Sequence, residues 1–137
     1  MTSVSYDIAK RYNILLIDDD QAHTNLMTLI LSEHCDCLII NTSSAVDSRE
    51  TSKKISPDLI ILRLMMNGRD GYNVCRQLKS ETHLQQIPVL LFGAKAPRDV
   101  YEQAKYCGAT GYLSQPFTPT QLCQAYDTLL SGKTYFP

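Results

Sequence analysis

Short runs of Ile, Leu and Val recur along the chain, with longer stretches of mixed polarity between them. The runs are Ile14–Ile17, Leu38–Ile40, Leu59–Leu62, Val89–Phe92 and Gly111–Leu113. The better ones are apolar at successive positions rather than alternately, the pattern of strands covered on both faces. The intervening stretches have helical spacing. Gln21–His34 puts Leu26, Met27, Ile30 and Leu31 on one side, and Asp20 is placed to cap its start. Asp70–Glu81 sets Val74, Cys75 and Leu78 at helical spacing, again with an aspartate first. Arg98–Cys107 would end at Gly108, and Thr118–Leu130 carries Leu122, Ala125, Tyr126 and Leu129 on its inner stripe. Ser43–Ser56 offers only Ala45, Val46 and Ile55 to a core, which predicts a short or loosely packed helix. Strand and helix thus alternate, and that alternation predicts a doubly wound α/β domain on a parallel sheet with right-handed crossovers. Residues 1–12 read as a flexible leader, 13–131 as the domain and 132–137 as a tail or linker stub.

Composition narrows the class further. A chain of 137 residues with 44% hydrophobic and 20% charged side chains fits one globular domain. A net charge of -1 lacks the basic footprint of a phosphate-gripping surface, so direct nucleic-acid binding by this segment is not expected. The apolar runs are too short to span a bilayer, and Met1–Lys10 has no apolar signal-peptide core. A cytoplasmic location is the expectation. The five cysteines, Cys35, Cys37, Cys75, Cys107 and Cys123, are scattered and odd in number, as free thiols would be. His34-Cys35-Asp36-Cys37 has no second Cys/His pair at ligand spacing, so no metal site is assigned to it.

In parallel α/β sheets, ligands bind at the carboxyl ends of the strands. The first strand runs into Asp18, Asp19 and Asp20, the third ends at Arg63, and the fifth ends in Gln115-Pro116-Phe117. The stretches ILLIDDD, PDLIILRLMMNGRDGY, IPVLLFGAKA and GATGYLSQPF around these ends resemble bacterial response regulator receiver domains, over nearly all of residues 13–131. The resemblance implies a flavodoxin-like, CheY-like fold: a five-stranded parallel sheet of order 2-1-3-4-5 flanked by five helices. It also implies a site in which an acidic pair binds Mg²⁺ and an aspartate ending the third strand accepts a phosphoryl group. A Thr or Ser ending the fourth strand and a Lys ending the fifth would then contact that group.

Carried over position by position, the acidic pair is Asp18 and Asp19, and the acceptor position holds Arg63. The Thr/Ser position holds Gly93, the Lys position Gln115, the position of a customary proline Asn67, and the switch aromatic is Tyr112. A guanidinium has five donors, no acceptor and no accessible deprotonation, so Arg63 cannot take the aspartate's part. Mg²⁺ needs hard oxygen ligands, and a cation in place of one carboxylate removes a ligand and adds repulsion, so Mg²⁺ binding is expected to be lost or weak. Gly93 has no hydroxyl and Gln115 no charge to offer a phosphate. No catalytic residue and no cofactor is therefore assigned, and no enzymatic activity is expected. Arg63 either forks onto one or both carboxylates or turns into solvent; the mutual repulsion of adjacent carboxylates favours the first.

These readings describe a degenerate receiver that signals through a protein partner or a homodimer. By resemblance, its contact face is the fourth helix, fifth strand and fifth helix, with Tyr101, Tyr106, Gln121 and Gln124 as candidate interface residues. Leu129–Pro137 is similar to the linker of NarL/LuxR-type regulators, which implies the N-terminal regulatory half of a transcription factor. A stand-alone adaptor is the other form of that reading. A different class, sensing of a small molecule or anion in a pocket around Arg63, stands beside it.

Overall fold

The computed structural model describes residues 6–7, 9–66 and 68–137. Among these residues, five parallel strands form one sheet: β1 (Tyr12–Ile17), β2 (Cys37–Thr42), β3 (Leu59–Arg63), β4 (Val89–Gly93) and β5 (Gly111–Ser114), in the order β2-β1-β3-β4-β5. Five α-helices flank it: α1 (Gln21–His34), α2 (Ala45–Ile55), α3 (Gly71–Lys79), α4 (Tyr101–Tyr106) and α5 (Pro119–Leu130). The expected doubly wound α/β fold and strand order are the ones observed.

The strands sort their side chains by parity, because successive residues point to opposite faces. Leu15, Ile17, Ile60, Leu62 and Leu91 pack with Val74, Cys75, Leu78 and Ala104 on one face. Ile14, Leu16, Leu59, Ile61, Leu90 and Phe92 pack with Met27, Leu31, Leu122, Tyr126 and Leu129 on the other. Both cores run the length of the three central strands, so the strand tops are anchored from both sides.

Caps place the helix starts beside those tops. Asp20 accepts from the N–H groups of Ala22 (2.9 Å) and His23 (3.3 Å), and Asp70 from that of Tyr72 (2.9 Å). Thr118 and Gln121 form a reciprocal capping box at α5. Gly71 is required by close approach: a Cβ there would stand 2.6 Å from the Leu64 carbonyl oxygen.

The structure departs from the pattern-based expectation in three places. α2 is a regular helix of 11 residues rather than a short one; Ser48 and Ser52 are fully buried in it, small enough for close packing. The side chains of Ala45 and Val46 lie outside the described residues, as does Asn67. The stretch Arg98–Cys107 divides into a 3₁₀ turn at Pro97–Asp99 and the short α4. The segment 132–137, expected as a tail or linker stub, folds back onto β5 through a parallel bridge between Gly111 and Tyr135. Within the leader, residues 1–5 and 8 lie outside the described set, and Tyr6 rests edge-on against Tyr12 and Tyr126 with its hydroxyl on Asp127. The five cysteines are free. No helix among the described residues is long and apolar enough to cross a membrane.

Candidate functional site

β1 and β3 lie side by side with Ile17 opposite Leu62, so Asp18 and Arg63 emerge next to each other at the strand tops. Arg63 Nη1 lies 2.9 Å from Asp19 Oδ1 and 3.4 Å from Asp18 Oδ1. One nitrogen thus bridges the two carboxylates, instead of two nitrogens forking onto one of them. The Asp18 side chain is 0% exposed, against 22% for Asp19 and 29% for Arg63. A buried carboxylate is costly unless it is paired and hydrogen-bonded. Asp18 has both: its Oδ1 also accepts from the Asp20 N–H at 3.1 Å.

The other oxygen of Asp18 meets a residue that the strand-end reading missed. Asp18 Oδ2 is 3.3 Å from Nδ1 of His23, and these two buried atoms approach without forming a hydrogen bond. His23 Nε2 is 3.4 Å from the Gln115 amide nitrogen and 3.7 Å from Asp20 Oδ2. With Nε2 unprotonated, the Gln115 amide donates to it, while Nδ1 stays close to Asp18 without a hydrogen bond. Arg63, Asp18, His23 and Gln115 therefore lie in a row of polar groups across the tops of β1, β3 and β5. The signal for His23 was present but weak. It stands three residues past the capping Asp20, where a helical side chain leans back toward the helix start.

Gly93 closes β4 on the other side of Arg63. A Cβ on Gly93 would stand 3.0 Å from Leu64 Cβ and 3.6 Å from the Tyr112 hydroxyl oxygen, so the missing side chain leaves room that Tyr112 fills. Tyr112 is buried, and its hydroxyl lies 2.9 Å from the Gly93 carbonyl and 2.7 Å from that of Lys95. Burial pushes this hydroxyl up to about 12. Beside it, a cavity of about 260 Å³ is lined by Arg63, Met65, Gly93, Lys95 and Gln115.

The candidate interface residues divide. The Tyr101 ring packs edge-on against Phe136 of the chain's own tail, while Tyr106 is 84% exposed on the α3 side of α4, with Arg76 6.0 Å from its ring centre. Residues five apart on a helix point about 140° from each other, which separates the two tyrosines. Gln121 is engaged in the α5 capping box, and Gln124 is exposed.

A five-stranded 2-1-3-4-5 sheet with acidic residues after its first strand and a loop-to-helix turn after its third is the arrangement that the resemblance to receiver domains implies. The Response regulator receiver domain profile matches residues 14–127, and the chain belongs to that family. It is 30% identical over 113 residues to the DNA-binding response regulator MtrA of Mycolicibacterium smegmatis, covering 82% of this chain and 47% of that protein. It is 31% identical over 124 residues to the DNA-binding dual master transcriptional regulator RpaA of Synechocystis sp., covering 90% of this chain and 51% of that protein. The chain thus spans about half the length of the curated relatives it matches. Among solved structures it resembles a receiver domain of a histidine kinase from Syntrophus aciditrophicus, with a TM-score of 0.77, 30% identity and coverage of 88% and 91% of the two chains. The fold also matches a response regulator from Chloroflexus aurantiacus, with a TM-score of 0.82, 24% identity and coverage of 89% and 99%.

Proposed function

We propose that this receiver domain signals by protein contact and not by aspartyl phosphorylation. The observation that carries the reading is Arg63: it stands at the acceptor position with its guanidinium directed at both carboxylates of the acidic pair. Acyl-phosphate formation needs a nucleophilic oxygen there, and a guanidinium supplies none. Mg²⁺ does not suit the same residues. A cationic donor lies against one oxygen of each aspartate, and the remaining Asp18 oxygen faces an imidazole nitrogen. Gly93 offers a phosphoryl group no hydroxyl, and Gln115 offers it no charge.

On this reading the Arg63 bridge replaces the metal as the neutraliser of Asp18 and Asp19, and the domain stays in one conformation whatever phosphodonor is present. Receiver domains act through kinases and effector domains, so a protein partner or a second copy receives the output, in the cytoplasm. MtrA and RpaA carry DNA-binding in their names, which supports a place for this domain as the regulatory part of a transcription regulator. Incubation of the protein with acetyl phosphate and Mg²⁺ tests the reading: the intact mass stays unchanged, and a gain of one phosphoryl group defeats it.

A small-anion sensor is the second reading. It is supported by the two cationic side chains, Arg63 and Lys95, that line the cavity of about 260 Å³. A rise in Tm with inorganic phosphate, without any gain in mass, favours it.

A further inference from the structure

The edge of β5 is closed by the chain itself. After α5 the backbone turns at Gly132, whose φ is +82°, and Lys133 N–H caps the helix on the Thr128 carbonyl at 3.1 Å. The chain then runs parallel to β5. Tyr135 donates to the Thr110 carbonyl at 2.8 Å, and Tyr112 donates to the Tyr135 carbonyl at 3.0 Å. Gly111 makes room for the added backbone, since a Cβ there would stand 3.1 Å from the Tyr135 oxygen. The next side chain, Phe136, enters a slot walled by Tyr101, with ring centres 5.1 Å apart at 68°, and by Lys105, whose Nζ lies 4.9 Å from the Phe136 ring centre. The Tyr101 hydroxyl donates to the Pro137 carbonyl.

These are the parts of a strand-addition site: an edge strand offering backbone groups in register, a glycine that admits a second backbone, and an aromatic slot with a cation at its rim. We propose that the β5 edge is a docking site for an extended, aromatic-bearing segment of a partner protein, and that Thr134–Pro137 occupies it in cis as a competitor. The tail displays the chemistry that the site accepts. It is also held lightly, through one bridge, two half-buried rings and the Tyr101 hydroxyl on Pro137, with Lys133, Thr134 and Pro137 exposed. Segments with so few buried contacts open at far lower cost than the core. Opening frees the edge and uncovers Tyr101 and the face of β5 together. The inference does not depend on the chemistry lost at Arg63.

The test compares the chain of residues 1–137 with its Phe136→Ala variant, using the peptide acetyl-Lys-Thr-Tyr-Phe-Pro-amide as probe. In the wild-type chain the Tyr112 amide exchanges with solvent at least about tenfold faster than that of Leu91, because it is released whenever the tail lifts. The tail's high effective concentration suppresses peptide binding to the wild type, so weakening it raises the apparent affinity at least about tenfold in Phe136→Ala, with amide shifts centred on Tyr112 and Leu113. Equal protection of Tyr112 and Leu91 in the wild type overturns the proposal, and that measurement needs no variant. A folded Phe136→Ala chain whose spectrum the peptide leaves unchanged overturns it as well. So does a variant that forms a concentration-dependent dimer without taking up peptide, because a second copy is then the occupant.

Discussion

At the tops of β1 and β3 the molecule closes a polar site with charge; at the edge of β5 it closes a sheet with backbone and rings. The first closure is deep. Asp18 is shut away from water, with one oxygen held by Arg63 and the Asp20 amide and the other beside His23. In such surroundings, removing one partner leaves a buried charge that costs several kcal/mol, so the arrangement has a single stable state. The second closure is shallow. Tyr135 and Phe136 are half-buried, and the hydrogen bonds they bring are ones that water or another strand replaces at little cost. One region therefore behaves as fixed structure, and the other as a clasp. On the proposed reading, in which Arg63 stands in place of the acceptor, what remains changeable lies at the edge rather than at the tops.

The sharpest way to break this contrast is Arg63→Asp. It removes the bridging cation and sets a third carboxylate beside Asp18 and Asp19. Stability in EDTA, read from urea unfolding, falls by about 3 kcal/mol. Mg²⁺ restores much of it, because three carboxylates at the strand tops form a hard-oxygen donor set, and the variant gains a Mg²⁺-dependent rise in Tm that the wild type lacks. An Arg63→Asp chain as stable in EDTA as the wild type means that the Arg63 contacts hold nothing in place.

Gly93→Thr has the next largest effect. The added Cβ meets Leu64 Cβ at 3.0 Å, and its branches compete for the space of the Tyr112 hydroxyl. Overpacking of this kind costs about 2 kcal/mol by urea unfolding, and it forces the Tyr112 ring to shift, which NMR reads as displaced ring signals. A change below about 0.5 kcal/mol means the space around Gly93 is looser than these contacts imply.

Much of this architecture is legible from residue pattern, and the misses have common physical causes. The apolar runs reveal the central strands because those are buried on both faces, and Asp20 and Asp70 reveal the helix starts because capping is local chemistry. The meeting of Asp18, Asp19 and Arg63 follows from three residues at the ends of neighbouring strands. His23 escaped because a helical side chain's direction, not its spacing in sequence, carries it to Asp18. α2 was underrated because Ser48 and Ser52 look like solvent-facing residues, yet small size is what lets them be buried. The tail escaped for a third reason: Lys-Thr-Tyr-Phe-Pro has no strand pattern of its own, and its hydrogen bonds exist only because β5 offers a free edge.

Phe136→Ala probes the shallow side alone. It removes a half-buried ring, one edge-on aromatic contact and one cation–π contact, and it lowers stability by about 1.5 kcal/mol or less. Unfolding by urea should stay a single transition with nearly unchanged slope, since Phe136 only packs against the outside of the core. A loss above about 3 kcal/mol would make the tail part of the core and erase the distinction between the regions.

Tyr112 belongs to both regions, and its hydroxyl tests whether they are joined. The hydroxyl faces the strand tops through the Gly93 and Lys95 carbonyls, while its backbone N–H holds Tyr135 of the tail. Tyr112→Phe removes the first link and leaves the second, at a cost of about 1 kcal/mol at neutral pH. The pH dependence has a definite sign. The folded-state pKa, about 12, is raised above the ordinary tyrosine value of 10.0 because burial disfavours the phenolate. The stabilisation from the protonated hydroxyl is therefore complete below the unfolded value and is lost as the pH climbs through the folded one. The gap between wild type and Tyr112→Phe, read from urea unfolding, should stay constant up to about pH 10 and shrink above it. Amide exchange at Tyr135 supplies the second readout. If it is unchanged in Tyr112→Phe, the clasp works independently of the strand tops; if it accelerates with the lost hydroxyl, ring position at the tops governs how firmly the edge is held.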